Sequence, residues 1–210
     1  PLGPFATPEE MSQKVYEHVK HHCSEKYIAL LGGEHSVSIG SIQAHAEAYD
    51  DITILQLDAH SDLRDEYEGS KFNHACVMAR AKEWCPIVQV GIRSQCVEEI
   101  GTFKRDNMFY AHEIAYNNHW IEDVISRIKT KNVYITIDLD VFDPSIMPST
   151  GTPEPGGLLW YETLELLEQV HRKRNVVGFD VVELCPNENN KAPNFLAAKL
   201  VYKMIGYKFF

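Results

Sequence analysis

Two acidic segments each follow directly on an apolar run. Leu57-Asp58-Ala59-His60-Ser61-Asp62 closes the run Ile52–Leu57, and Asp138-Leu139-Asp140 closes Ile135-Thr136-Ile137. In extended backbone, side chains at i, i+2 and i+4 point the same way. Asp58, His60 and Asp62 are therefore predicted to project together, and so are Asp138 and Asp140. Carboxylates and an imidazole aimed at one spot need a cation among them. A third segment, Leu31-Gly32-Gly33-Glu34-His35-Ser36, brings His35 to the same sheet edge after a glycine pair that allows a tight turn. It lacks the Lys-Ser/Thr ending of a phosphate loop. A polar turn is the minority alternative for the 58–62 segment, and a lone His35 would usually be structural. Together the three segments supply two His and four Asp.

Six such donors are too many for one zinc site with an open position. They suit two ions bridged by carboxylates and a hydroxide. Oxygen-rich coordination with a minority of imidazole favours Mn²⁺. Paired sites of this kind activate water for attack on an electrophilic carbon or phosphorus. Asp143, before Pro144, reads as a turn former rather than a ligand.

Positioning these groups calls for strands that end together. Short β-rich runs fall at Tyr27–Leu31, Ile52–Leu57, Ile87–Val90, Asn107–Tyr110, Val133–Ile137 and Val176–Val181. Most are apolar nearly throughout, as strands covered on both faces are. Amphipathic stretches alternate with them, the pattern of βαβ units. A helix is predicted from Thr7, an N-cap followed by Pro8-Glu9-Glu10, to about Cys23. Others are predicted near 38–47, 74–82, 120–130, 160–172 and 194–205. The fold class is α/β, three layers α/β/α with a mainly parallel sheet. The Pro- and Gly-rich stretch Asp143–Gly157 is long for a βα connection and reads as a functional loop.

The 210 residues fit one domain over 1–210. Thirty acidic against twenty basic residues give a net charge of −10. That sign argues against nucleic-acid or anionic-membrane surfaces and suits a cationic ligand or bound metal. No apolar run is long enough to span a bilayer, and no leader pattern opens the chain. The start at Pro1, without Met, leads us to expect a processed or incomplete chain. Five scattered cysteines form no metal-binding spacing and read as reduced thiols of a cytoplasmic protein. Cys185 is the candidate should one be reactive. His18, His21 and His22 read as a solvated helix face.

Gly-Gly-Glu-His-Ser (32–36), Asp-Ala-His-Ser-Asp (58–62), Asp-Leu-Asp-Val-Phe-Asp-Pro (138–144) and Gly-Thr-Pro-Glu-Pro-Gly-Gly (151–157) resemble the ureohydrolase family of arginases, agmatinases and formiminoglutamases. Phe179-Asp180-Val181-Val182-Glu183-Leu184-Cys185-Pro186 resembles its last signature, and the whole is most like agmatinase. The resemblance implies an arginase-like fold, a missing N-terminal segment, and hydrolysis of a guanidino group to release urea, most readily agmatine to putrescine. It implies two Mn²⁺ per subunit, bridged by Asp58, Asp138 and hydroxide. One ion would take His35, Asp58, Asp62 and Asp138, the other Asp58, His60, Asp138 and Asp140. His74, Asp62 and Glu183 would be catalytic, and Glu183 and Thr150 would hold substrate. A homo-oligomer, trimer or hexamer, is implied as well. Glu34 stands where arginases usually carry Asp and agmatinases often Glu.

The substrate reading rests on the segment after Asp62. Asp65, Glu66 and Glu68 suit a cationic tail, as in agmatine or aminopropylagmatine. Arg64 suits a carboxylate, as in guanidinobutyrate or formiminoglutamate; arginine is a further alternative. A metal-dependent phosphoesterase or an inactive binding homologue are the readings from other classes.

Overall fold

The six apolar runs pair side by side in one parallel sheet, in a computed structural model that describes residues 3–210. The strands are β1 (Ile28–Leu31), β2 (Ile52–Leu57), β3 (Ile87–Ile92), β4 (Met108–Tyr110), β5 (Asn132–Asp138) and β6 (Asn175–Val182). Their order across the sheet is β1-β6-β5-β2-β3-β4. The strands that precede His35, Glu183, Asp138 and Asp58 are thus four neighbours. Their carboxyl ends open on one edge, where ligands of α/β sheets bind.

The helices are α1 (Pro8–Lys20), α2 (Val37–Ala48), α3 (Val77–Trp84), the short α4 (Ala111–Ile114), α5 (Trp120–Arg127), α6 (Trp160–Lys173) and α7 (Ala192–Phe209). Alternation along the strands sends side chains to two cores. Ile52, Ile54 and Tyr134 pack with Ile39 and Ile42 of α2 and Met78 of α3. Leu55, Leu57, Ile135 and Ile137 pack with α5, α6 and α7 through Val124, Leu167 and Leu200. Each such buried aliphatic contributes roughly 1.5–3 kcal/mol. The three-layer expectation is therefore met. Helix α1 forms an outer layer on α2, and Gly40 lets the two backbones close: a Cβ there would lie 2.2 Å from Ser12 O.

Local signals held where capping chemistry set them. Thr7 Oγ1 accepts from Glu10 N at 3.1 Å. Helix α1 ends at Lys20, short of the predicted Cys23, and turns continue from there. Helix α5 ends at Arg127, short of 130, because the Arg174 guanidinium takes the freed carbonyls of Ile125 (3.2 Å) and Ile128 (2.7 Å). His74 opens a 3₁₀ turn, and the α-helix itself begins at Val77. All five cysteines are free thiols.

His45 gives the fold a pH limit. It is wholly buried in α2, its Nδ1 donates to Ser41 O at 2.8 Å, and its ring lies 4.5 Å from that of Tyr134. Burial disfavours its charged form and lowers its pKa to about 4. The unfolded chain, with a histidine pKa of about 6.5, then binds the proton first. Stability should fall as pH drops from about 6.5 to about 4, by roughly 3 kcal/mol from this group. Denaturant titrations at pH 7 and 4.5 check this. His45→Phe should lose that part of the pH dependence.

Candidate active site

The sequence predicted convergence by alternation along a strand, and the convergence is there for a different reason. Strand β2 stops at Leu57, and Asp62 has φ 52°, in the left-handed region. The 58–62 segment is a folded loop. Arg93 N and Ser94 N donate to Ala59 O at 2.8 and 2.9 Å, and Met78 N and Ala79 N both donate to Asp62 O at 3.0 Å. Asp138 ends β5, and Leu139–Val141 form a 3₁₀ turn whose Asp140 N donates to Asp138 Oδ1 at 2.9 Å. Backbone N–H groups thus orient the carboxylates: His60 N donates to Asp58 Oδ1 (2.6 Å) and Ala59 N to Asp140 Oδ1 (3.0 Å).

The result is two clusters that share Asp58. His35, Asp58 and Asp62 form one, and Asp58, His60 and Asp140 the other. His35 Nδ1 lies 3.1 Å from Asp58 Oδ2, 2.9 Å from Asp62 Oδ2 and 3.5 Å from Asp138 Oδ2. His60 Nδ1 lies 2.9 Å from Asp140 Oδ2 and 3.6 Å from Asp58 Oδ1. All six predicted donors are therefore together. His35 Nδ1 is buried, makes no hydrogen bond, and faces three carboxylates. This donor set fits two divalent ions.

The carboxylates crowd one another. Burial, then the Asp58 charge, pushes Asp62 up to about 7. Burial, then Asp140 and Asp58, raises Asp138 well above the carboxylate range. Burial opposes protonation of His60, but Asp140 and Asp58 overcome it and lift it to about 11. Burial likewise opposes protonation of His35, and Asp58 and Asp62 outweigh it, raising its pKa; acids packed this closely around two imidazoles are what a divalent cation offsets.

The clusters floor a cleft of about 440 Å³. Glu183 stands over it at the end of β6, with φ 65°. Its N donates to Gly33 O, and its Oε1 accepts from His35 N, both at 2.7 Å. Burial raises its pKa. A strained non-glycine backbone at a ligand edge marks a position fixed by its surroundings. His74 lines the cleft half-exposed, with Nδ1 3.7 Å from Glu34 Oε2 and its ring edge-on to Tyr67 at 5.8 Å. Glu34, noted in the sequence only as a variant of the motif, is thus beside His74.

The cleft lining differs from the sequence expectation at three places. Asp65, Glu66 and Glu68 do not line this cleft; Arg64 and Tyr67 do, with the guanidinium stacked 4.5 Å over the ring. Asp65 instead pairs with Arg80 (2.7 Å) and Lys71 (3.1 Å). Thr150 is buried with an unpartnered hydroxyl, and the cleft wall is formed by Gly151 and Thr152. Cys96, rather than Cys185, is the thiol in the cleft.

Two supports were missed. Gln56 Nε2 donates to Asp58 Oδ2 at 2.7 Å, from a strand position that reads as core. Arg93, after β3, binds Asp140 O (2.6 Å), Glu154 O (2.8 Å) and Gly91 O (3.0 Å). It ties the second aspartate turn to the 143–157 loop. Asp143 is the turn former the sequence predicted: its carboxylate accepts from Ser145 N and Gly156 N at 2.9 Å and Gly157 N at 3.2 Å. Gly157 must be glycine, since a Cβ would lie 2.6 Å from Val141 O. The Arg93 signal was legible only as a charged residue just past an apolar strand.

The Arginase family model matches residues 2–206. The chain is 42% identical over 186 residues to an N(1)-aminopropylagmatine ureohydrolase of Synechocystis, covering 87% of this chain and 61% of that one. It is 38% identical to an agmatinase of Pyrococcus horikoshii, covering 84% and 61%. It spans about three-fifths of the length of these relatives. The solved agmatine ureohydrolase of Thermoplasma volcanium superposes with a TM-score of 0.86 at 35% identity, over 97% of this chain and 70% of that one.

Proposed function

Because this chain belongs to the arginase family, we propose that it hydrolyses a linear guanidino amine, agmatine, to putrescine and urea. One observation carries the reading. The unpartnered Nδ1 of His35 faces three carboxylates at the foot of a cleft lined by six acidic side chains and a single Arg or Lys, Arg64. Such a lining suits a cationic substrate and disfavours a phosphate ester, which calls for cationic partners. The aminopropyl derivative of agmatine is the second reading. The 42% identity to a protein so named, against 38% to an agmatinase, favours it.

His35, Asp58, Asp62 and Asp138 would hold one ion, and Asp58, His60, Asp138 and Asp140 the other. The oxygen-rich set supports manganese. When bound, such ions supply Lewis acidity and a water activated at neutral pH. The protein's part is placement. Glu183 would accept forked, charge-assisted hydrogen bonds from the guanidinium. Asp62, on the cleft wall, would accept a proton there besides ligating. His74, at the cleft with Glu34 Oε2 3.7 Å from its Nδ1, would give a proton to the leaving amine. A homo-oligomer in the cytoplasm is proposed on the family resemblance and the free thiols.

Product release tests the reading: urea from agmatine, N(1)-aminopropylagmatine, arginine and guanidinobutyrate, and formamide from formiminoglutamate, each with added Mn²⁺. Urea from one of the first two is expected. Bound metal without urea or formamide from any would identify an inactive homologue, and phosphate release from an ester a phosphoesterase.

Glu183→Gln probes the guanidinium contact. It keeps the shape and removes the charge. A charge-assisted hydrogen bond contributes roughly 1.5–3 kcal/mol, and 1.36 kcal/mol is one decade of rate. The expected fall in kcat/KM is at least ~10-fold with metal content unchanged. Near-normal catalysis on every guanidino compound would make Glu183 structural.

A further inference from the structure

Behind His35 lies a buried polar chain that no step above uses. Tyr134, Thr136 and Asp138 share one face of β5 by its period of two, and Asp180 of β6 sits in register with Thr136. His35 Nε2 lies 2.9 Å from Thr136 Oγ1. Thr136 Oγ1 donates to Asp180 Oδ1 at 2.7 Å, and Tyr134 OH donates to Asp180 Oδ2 at 2.8 Å. Ser41 Oγ of α2 lies 2.9 Å from Tyr134 OH, and the His45 ring packs on the Tyr134 ring. Thr136, Tyr134 and Asp180 are all 0% exposed.

We propose that Asp180, acting through Thr136, is a positioning residue that fixes which nitrogen of His35 faces the metal centre. The inference rests on the metal-centre reading above. A carboxylate accepts hydrogen bonds and does not donate them. Asp180 therefore draws the single proton of the Thr136 hydroxyl toward itself. The hydroxyl is left with lone pairs only, and it accepts from His35 Nε2. In the neutral ring that puts the proton on Nε2 and the free lone pair on Nδ1, the atom that faces Asp58, Asp62 and Asp138. Carboxylate support of a ligating histidine is a general device of metal sites, and here a threonine is interposed.

The other half of the centre has no such backing. The outer nitrogen of His60, Nε2, has Glu154 Oε1 at 4.0 Å, beyond hydrogen-bond reach, and the side chain is 26% exposed. Asp180 thus serves one site of the two, and its loss should separate them. That asymmetry distinguishes positioning from general support of the core.

Equilibrium Mn²⁺ titration of the whole chain, read by stoichiometry and site affinity, tests this. The wild type should take two ions. Thr136→Val, nearly the same shape, should weaken one site 10–100-fold, the range for loss of such a partner, and leave the other within about threefold. Thr136→Ser should restore it. Tyr134→Phe removes the other hydroxyl from Asp180 at a similar cost to the core. It should lower Tm while leaving both affinities within about threefold. Asp180→Leu removes the acceptor of the Thr136 hydroxyl at nearly the same shape and should match Thr136→Val; if Thr136→Val does not fold, it carries the test alone. Unchanged affinity at both sites, or equal weakening of both, in Thr136→Val or Asp180→Leu would overturn the proposal. So would weakening by Tyr134→Phe as large as that by Thr136→Val. A wild type that takes no Mn²⁺ would instead sink the metal-centre reading, and this inference with it.

Discussion

Asp138→Ala is expected to bring turnover to background and to prevent two ions from binding together. Asp138 is 3% exposed at the very end of β5, and its Oδ2 faces His35 Nδ1 while its Oδ1 caps the turn that carries Asp140. The substitution removes the carboxylate proposed to be shared and frees the Asp140 turn in the same stroke. Lewis-acid stabilisation by bound metal is worth several kcal/mol, so a loss of at least ~10³-fold follows at 1.36 kcal/mol per decade. Thermal unfolding separates this from simple misfolding. In chelator, the wild type carries Asp138 among Asp58 and Asp140 in a buried site, which disfavours its charge. Removing it should cost the chelated protein little stability, or none. With Mn²⁺ added, the wild type should gain Tm by mass action and the variant should gain much less. A variant that binds two ions and turns over would overturn the ligand assignment.

The reasons behind the site were less legible than its members. Apolar runs bounded by Gly, Asp and Asn gave every strand, because buried parallel strands have few other compositions. The six donors stood out because acids and histidines at the ends of such runs have few structural uses. Alternation, however, holds only while the backbone is extended. Asp62 reaches the cluster from a left-handed turn, and Asp140 from a 3₁₀ turn. Sidedness beyond a strand end is set by loop hydrogen bonds to distant backbone, such as Arg93 N to Ala59 O. Asp65 stands outside the cleft for a related reason: Arg80, from α3, holds its carboxylate.

Supporting residues were hidden by their position. Gln56, Thr136 and Asp180 lie inside runs that otherwise read as hydrophobic strand, where a lone polar residue carries no direction. Only register across β5 and β6 brings Thr136 opposite Asp180, and register is a property of the folded sheet. The short helix α4 escaped because four residues carry too little periodicity to read. The site's members could thus be found one segment at a time, whereas its supports are pairs contributed by different segments.

His74→Ala should leave both ions bound and slow turnover by ~10² to 10⁴, the range for lost acid–base catalysis. The metal prediction follows from geometry: His74 belongs to neither donor cluster, and its nearest charged partner is Glu34 at 3.7 Å. The rate prediction follows from the leaving group. An amine expelled as its anion is prohibitively basic, so the C–N bond breaks with a proton delivered to nitrogen. His74 is half-exposed at the cleft, between Glu34 and the Tyr67 ring, where it can exchange its proton with solvent between turnovers. The loss should fall mainly on kcat, because a proton passed in the transition state contributes little to ground-state binding. The open position also leaves a gap that small molecules can enter. Added imidazole should therefore restore part of the rate in His74→Ala and do nothing for Asp138→Ala. Metal loss in His74→Ala would make this residue a ligand. An unchanged rate would mean that solvent supplies the proton, leaving Glu34 and His74 as a surface ion pair, which is typically worth under about 1 kcal/mol.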